Sequence, residues 1–193
     1  SGQTSIPLQF EPHQSFFIVF KKGETKAPVP GKENFPVVTN IATLNAPWVV
    51  AFDPQWGGPE KIVFDQLEDW TTRPEEGIKY YSGMAAYSQQ FDLPEVDTKN
   101  KKARIILNLG EVKNLARVKL NGKDLGVVWT APWQVDITGV VKPEKNMLEI
   151  TVANLWPNRL IGDEQLPDDG IKKGQWPDWL LQGKPRTSGR FTF

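Results

Sequence analysis

The chain has 193 residues, of which 39% are hydrophobic and 24% charged, so we expect a folded core and either one large domain or one domain with an appendage. Basic and acidic residues number 23 each, and this balance argues against a nucleic-acid footprint and against attraction to anionic membranes. The absence of cysteine excludes disulfides and thiolate metal sites, and one histidine, His13, excludes a multi-histidine metal site.

The first predicted element is the apolar run SFFIVFKK, which is typical of a strand. Residues 1–22 are predicted to be the closing strand of a preceding domain or an added edge strand. Pro and Gly then punctuate a polar stretch, so residues 23–43 are predicted to be a linker or long loop. The start SGQTS shows no signal peptide, and we expect the chain to be a piece of a longer protein.

Residues 44–193 are predicted to form one antiparallel β-sandwich, a jelly roll of about ten short strands. Strand signals recur between turns, and no long window shows helical periodicity. Asn121-Gly122 is the strongest hairpin signal, because a type I′ turn needs positive φ at both positions. The predicted strands lie in WVVAF, KIVF, IKYYSG, MAAYSQQFDLP, ARIILNLG, LARVKL, KDLGVVW, WQVDI, MLEITVANL and GRFTF.

Eight tryptophans indicate either a heavy aromatic core or flat platforms for ligands. Sandwich domains that bind sugars stack aromatic rings on the pyranose and direct amides, carboxylates and arginine at its hydroxyls. Side chains of these types follow predicted strand ends, where loops carry function. The alternative is that the tryptophans cap the core and Arg159 bridges a buried acid. The candidate carbohydrate-binding residues are Trp129, Trp133, Trp156, Asn158, Arg159 and Asp163.

Acidic residues cluster near the C-terminus, which raises the alternative of a complete glycosidase. Glycoside hydrolysis needs two carboxylates roughly 5 to 9 Å apart across the scissile bond. No pair can be assigned to opposed rigid strands, so no catalytic residue is nominated, and the acids are expected to be solvated or structural. No cofactor is predicted. A structural calcium is left as an open alternative, although no calcium-binding motif supports it. The acids are Asp163, Glu164, Asp168, Asp169 and Asp178.

The stretch from KLNGKDLGVVW to NLWPNRLIGDEQLPDD resembles the galactose-binding-like, sugar-binding domain of glycoside hydrolase family 2. A closer likeness is to the C-terminal region of family 106 α-L-rhamnosidase-like enzymes, carried by NLWPNRLIGDEQLP, TSGRFTF, APWVVAFDPQWGGPEKIVFDQLEDWT and IKYYSGMAAYSQQFDLP. The positions that fill the family 2 pattern are Leu120, Asn121, Gly122, Gly126, Trp129, Pro132, Trp133, Asp136, Ile137, Asn146, Leu148, Ile150, Val152 and Asn154.

This resemblance implies a jelly-roll sandwich in a protein of the periplasm, the cell surface or the extracellular space, acting in polysaccharide breakdown. It implies catalytic acids in a separate barrel domain, and partners that are the other domains of the parent enzyme and carbohydrate, with neither nucleic acid nor a membrane span. It also implies that Trp156, Asn158, Arg159 and Asp163 approach a sugar. In such relatives the chain continues past GRFTF. The predicted function is a non-catalytic carbohydrate-contacting accessory domain; the alternative is a purely structural domain bracing the barrel.

Overall fold

The computed structural model describes residues 5–10, 14–20, 38–93 and 104–192. The chain divides into two units, residues 1–41 and 42–193. In the first unit, residues 5–10 and 14–20 belong to no helix or strand. A strand needs a pairing partner, so the predicted closing or added strand within residues 1–22 stays a prediction. His13 and most of the predicted linker lie outside the described residues.

The second unit is built from eight strands and three short helices in its described part. Every strand pairing is antiparallel, as the predicted all-β fold requires. The strands are β1 (Trp48–Phe52), β2 (Ile62–Phe64), β3 (Met84–Phe91), β4 (Ile106–Asn108), β5 (Leu115–Leu120), β6 (Lys123–Val128), β7 (Gln134–Asp136) and β8 (Asn146–Ala153); the helices are α1 (Glu76–Lys79), α2 (Pro157–Glu164) and α3 (Asp178–Leu181).

Six strands form one sheet in the order β2-β1-β3-β8-β5-β6, and β4 pairs with β7 in a second, two-stranded sheet. In β1, β3, β5 and the first half of β8, alternate residues are buried in the core; in β5 these are Ala116, Val118 and Leu120. Val135 on β7 of the second sheet and Ile137, directly after β7, join the same core cluster. The fold is therefore the predicted antiparallel β-sandwich.

The predicted Asn121-Gly122 hairpin turn joins β5 to β6. Asn121 has φ 52° and Gly122 φ 82°, as a type I′ turn requires. The Asn121 side-chain amide donates to the Val140 carbonyl at 2.9 Å and to the Asn146 carboxamide oxygen at 3.0 Å, and its oxygen accepts from the Met147 amide at 2.9 Å. The side chain thus connects the hairpin to the neighbouring strand β8.

Two strand predictions are wrong. IKYYSG contains the end of α1 and a turn, because Ile78 and Tyr81 are both fully buried at a helical spacing of three residues. In GRFTF, the described residues 189–192 form no strand, because their polar groups are held by side chains instead of a ladder. The residues after the predicted strand MLEITVANL are expected to form a loop, but the structure forms helix α2 there.

Candidate functional site

The site lies at one end of the six-stranded sheet. Strand β1 ends, β3 begins and β8 ends there, as the pairings Phe52↔Ala85 and Met84↔Ala153 show. The segments that follow or precede these three strands enclose a cavity of about 330 Å³. Its lining residues are Asp53, Trp56, Tyr81, Ser82, Gly83, Met84, Asn154, Leu155 and Trp156.

Two tryptophans form the aromatic wall of this cavity. The rings of Trp56 and Trp156 meet edge to face, with centroids 5.8 Å apart and planes at 79°. Trp56 also packs beside Phe191, at 5.9 Å. Trp156 is 52% exposed and Trp56 40%, so both indoles keep free surface. Such partly exposed, fixed rings provide flat apolar surface at a wet boundary.

A short 3₁₀ turn, Pro54–Trp56, positions the Trp56 ring. Asp53 precedes the turn, and one of its carboxylate oxygens accepts from the Gln55 amide at 2.9 Å. The other oxygen bonds no residue within the described part of the chain. Gly57 ends the turn at φ 81°, a backbone conformation that glycine adopts without steric cost.

The floor of the cavity is held by Tyr81 and Asn154. The buried Tyr81 hydroxyl accepts from the Asp53 amide at 3.2 Å and donates to the Met84 carbonyl at 3.0 Å. The Asn154 amide group donates to the Tyr81 carbonyl at 2.8 Å, and its oxygen accepts from the Gly83 amide at 2.9 Å. Burial raises the pKa of the Tyr81 hydroxyl, so this group stays neutral and hydrogen-bonded. These bonds fix the three segments relative to one another.

Arg159 lies behind the aromatic wall instead of facing solvent. It is only 6% exposed, donates to the Trp56 carbonyl at 2.8 Å and stacks its guanidinium over Phe191 at 4.1 Å. Burial lowers the pKa of this guanidinium, and the nearby charge of Asp163 acts in the opposite direction. Arg159 therefore supports Trp56 and is not a lining residue.

Asp163 is likewise engaged inside the protein, at 2% exposure. One carboxylate oxygen accepts from the amides of Phe191 and Thr192 at 2.9 and 2.6 Å and from the Thr192 hydroxyl at 2.7 Å. The other lies 3.9 Å from the Arg159 guanidinium. This arrangement matches the alternative of an arginine bridging a buried acid, and it ties the C-terminal residues to α2.

A second acid of the cluster, Asp169, also holds the C-terminal segment. Its carboxylate pairs with the Arg186 guanidinium at 2.7 and 2.9 Å and accepts from the Ser188 hydroxyl. Arg186 is the main reason that the pKa of Asp169 falls to about 2. Asp163 and Asp169 therefore have structural roles, whereas Glu164 and Asp168 are exposed, as predicted for solvated residues.

The structure brings only one of the six predicted site residues into the cavity, namely Trp156. Asn158 is half-buried in α2. Trp129, 68% exposed, leaves β6 at the same end of the sheet, but β5 separates β6 from β8, which puts the two strands about 10 Å apart. Trp133, half-buried, precedes β7 in the other sheet. Whether any of the six binds sugar stays a prediction.

Sequence reasoning missed Asp53 and Trp56. Both lie in DPQWGGPE, directly after the buried strand β1. The available signal was a tryptophan inside a Pro- and Gly-rich turn, where a core role is uncommon because turns run over the surface.

Two further properties concern membranes and metals. Within the ranges that the structure describes, no helix is long and apolar enough to cross a bilayer. Among those same residues, no group of three or more acidic or histidine side chains is arranged to hold a metal ion.

Comparison with known proteins places residues 71–185 in a family described as glycosyl hydrolase 2 galactose-binding domain-like. A protein of Formosa agariphila that carries the name "Putative beta-glucuronidase" is 40% identical over 91% of this chain. The solved structure of a rhamnosidase from Novosphingobium sp. PP1Y is 35% identical over 83% of the chain, with a TM-score of 0.61. A β-glucuronidase structure from Ruminococcus gnavus, 22% identical over 62% of this chain and 23% of its own, shares the fold with a TM-score of 0.50.

The chain spans a small part of these proteins. It covers 17% of the length of the Formosa protein and 16% of the rhamnosidase. The matched family segment includes α2 but neither β1 nor the Trp56 turn, so half of the aromatic wall lies outside it.

Proposed function

The chain belongs to the glycosyl hydrolase 2 galactose-binding domain-like family, and we propose that it is a non-catalytic, carbohydrate-contacting accessory domain of a secreted, α-L-rhamnosidase-like bacterial glycoside hydrolase. The likeness to a rhamnosidase and to a protein named for β-glucuronidase activity supports a role in polysaccharide degradation. Since the chain matches about one sixth of those proteins, catalysis is assigned to another domain of a longer enzyme.

The observation that carries the proposal is the open aromatic cavity at the sheet end. Its volume of about 330 Å³ is at the small end of the range for ligand pockets, which suits one or two sugar rings. The edge-to-face Trp56–Trp156 pair provides two apolar surfaces at different angles. The apolar face of a pyranose can pack against either indole while its hydroxyls reach solvent and Asp53.

A non-catalytic role fits the distribution of the carboxylates. Asp53 is the one acid among the lining residues, whereas hydrolysis of a glycosidic bond needs two. Of the acids near the C-terminus, Asp163 is already bonded to backbone amides and Asp169 to Arg186.

One observation favours a second candidate, a domain that braces the rest of the enzyme. Large apolar side chains along the C-terminal segment are exposed, and such patches on a folded domain mark interaction surfaces. They include Leu160 and Ile161 on α2, Leu180 and Leu181 on α3, and Ile171 between the helices. A neighbouring domain of the parent enzyme is the proposed partner for this surface.

A titration separates the two candidates. The 193-residue chain, followed by tryptophan fluorescence and calorimetry, is expected to bind rhamnose- or galactose-containing oligosaccharides, and Trp156→Ala is expected to abolish the response. Trp129→Ala is the control, because Trp129 is also exposed, at 68% against 52% for Trp156, but follows β6. Loss of binding only in Trp129→Ala would move the site there. No response to any sugar at millimolar concentration would favour the bracing role.

A further inference from the structure

Among the described lining residues the cavity carries one formal charge, at Asp53, and this charge bears on which sugars the site accepts. Resting on that function, we propose that the site selects neutral sugars with free hydroxyl groups and rejects uronic acids, and that Asp53 sets this preference. The relatives do not decide the point, since one is a rhamnosidase and another is named for a glucuronide.

Charge around the cavity is the first support. Among the described residues that line the cavity, Asp53 is the only charged one. Arg159 lies behind Trp56 and pairs with Asp163 at 3.9 Å, so these two buried charges largely offset each other. The charge left at the mouth is negative, and a second carboxylate brought there on a sugar would be repelled.

Hydrogen-bonding capacity is the second support. One oxygen of Asp53 is occupied by the Gln55 amide and the other is available as an acceptor. A carboxylate accepts but does not donate, so its partner must be a donor such as a sugar hydroxyl. The polar side chains of Tyr81 and Asn154 are committed to backbone groups, and the buried Ser82 hydroxyl accepts from the Arg159 amide at 2.9 Å. The lining thus offers no cationic donor to a uronate.

The aromatic wall makes the discrimination local. Trp56 follows Asp53 by three residues and both line the cavity, so a ring that stacks on this indole shares the cavity with the carboxylate. Asp53 is itself exposed, so salt screens its charge and the discrimination should be largest at low ionic strength. A ligand held by the tryptophans is therefore sensitive to the charge at Asp53.

The experiment compares sugars that differ at one carbon. D-Galactose and D-galacturonate, with L-rhamnose as a second neutral probe, are titrated against the 193-residue chain by calorimetry and ligand-observed NMR. We expect the neutral sugars to bind at least about tenfold more tightly than the uronate at low salt. In Asp53→Asn this ratio should fall to about threefold or less, because an asparagine keeps the acceptor for the Gln55 amide and removes the charge.

Asp65→Asn, at an exposed site outside the cavity lining, is the charge control and should leave the ratio unchanged. Thermal unfolding of each variant checks that the fold is retained. Uronate bound as tightly as galactose by the wild-type chain would overturn the selectivity while leaving the proposed function intact. A wild-type preference that persists in Asp53→Asn would overturn the role of Asp53. Binding of neither sugar would overturn the proposed function itself.

Discussion

The six-stranded sheet and the C-terminal segment after it, residues 154–192, are held together in different ways. In the sheet, ladder hydrogen bonds run from β2 to β6 and alternate residues are buried in one core. In the described part of the C-terminal segment there is no extended ladder. Arg159 bonds to Trp56 and Ser82 outside the segment, while Asp163 and Asp169 bond to partners within it. The sheet therefore depends on burial of apolar area and the segment on individual polar bonds.

The difference shows where the functional surface can tolerate change. The core distributes its stability over many apolar contacts, whereas Arg159 and Asp163 each serve several partners at once. Trp156 lies at the junction, three residues after β8 ends and directly before α2 begins. Its orientation depends on both regions.

The largest effect is expected in the sheet. Leu148 is fully buried in the central strand β8, so Leu148→Ala should lower the free energy of unfolding by about 4 kcal/mol, through lost burial and a cavity that neighbouring strands cannot fill. Urea denaturation followed by circular dichroism measures this. Met147→Ala, one residue earlier on the exposed face, should cost less than about 1 kcal/mol. Equal losses for the two variants would contradict the assignment of the core face.

A smaller effect with a local signature is expected in the C-terminal segment. Asp163→Ala removes the acceptor for the Phe191 and Thr192 amides and leaves the Arg159 charge buried without its acid, which should cost about 2–3 kcal/mol. Hydrogen exchange should accelerate at Phe191 and Thr192 far more than in β8. Glu164→Ala, the exposed neighbour, is the control. Unchanged exchange at both amides would show that other contacts hold the segment.

The smallest effect is a dependence on acid. Because the pKa of Asp169 is lowered from 3.8 to about 2 by Arg186, its contribution to stability is complete above about pH 4 and is lost as the pH falls through about 2. The contribution should be about 1 kcal/mol, since the pair keeps some contact with water. Trp179 reports it, as its indole donates to the Asp169 carbonyl and faces Arg186.

The acid transition in Trp179 fluorescence should therefore be absent in Asp169→Asn and retained in Asp124→Asn, which alters an exposed pair with Arg117 on the sheet. Retention of the transition in Asp169→Asn would assign it to another group.

The sequence predicted the sheet well because alternation is a local property. β5 and β8 follow from alternate apolar residues, and β6 follows from the Asn121-Gly122 turn that joins it to β5; neither signal needs knowledge of the rest of the chain. Helix α2 escaped prediction because it has only eight residues and contains Gly162. A Cβ at Gly162 would lie 2.5 Å from the Cβ of Tyr80, so the glycine is set by a tertiary contact that no local pattern shows.

The candidate site was predicted only in part for the same reason. Trp156 stood out because it follows a clear strand end. Its partner Trp56 lies a hundred residues away in sequence, and the two meet only through the pairing of β1 with β3 and of β3 with β8. The burial of Arg159 and Asp163 depends on where residues 191–192 return, which a single sequence does not reveal.

The Asn121-Gly122 turn has a consequence for the chemical ageing of the protein. Asn-Gly dipeptides deamidate when the glycine nitrogen attacks the asparagine side-chain carbon and closes a succinimide ring. Here the Asn121 side chain is held by three hydrogen bonds, to Val140, Asn146 and Met147, and ring closure requires them to break. Deamidation at this turn should therefore be slow while the turn is docked on β8 and fast once it detaches, so the accumulated isoaspartate records how often the turn has separated from β8.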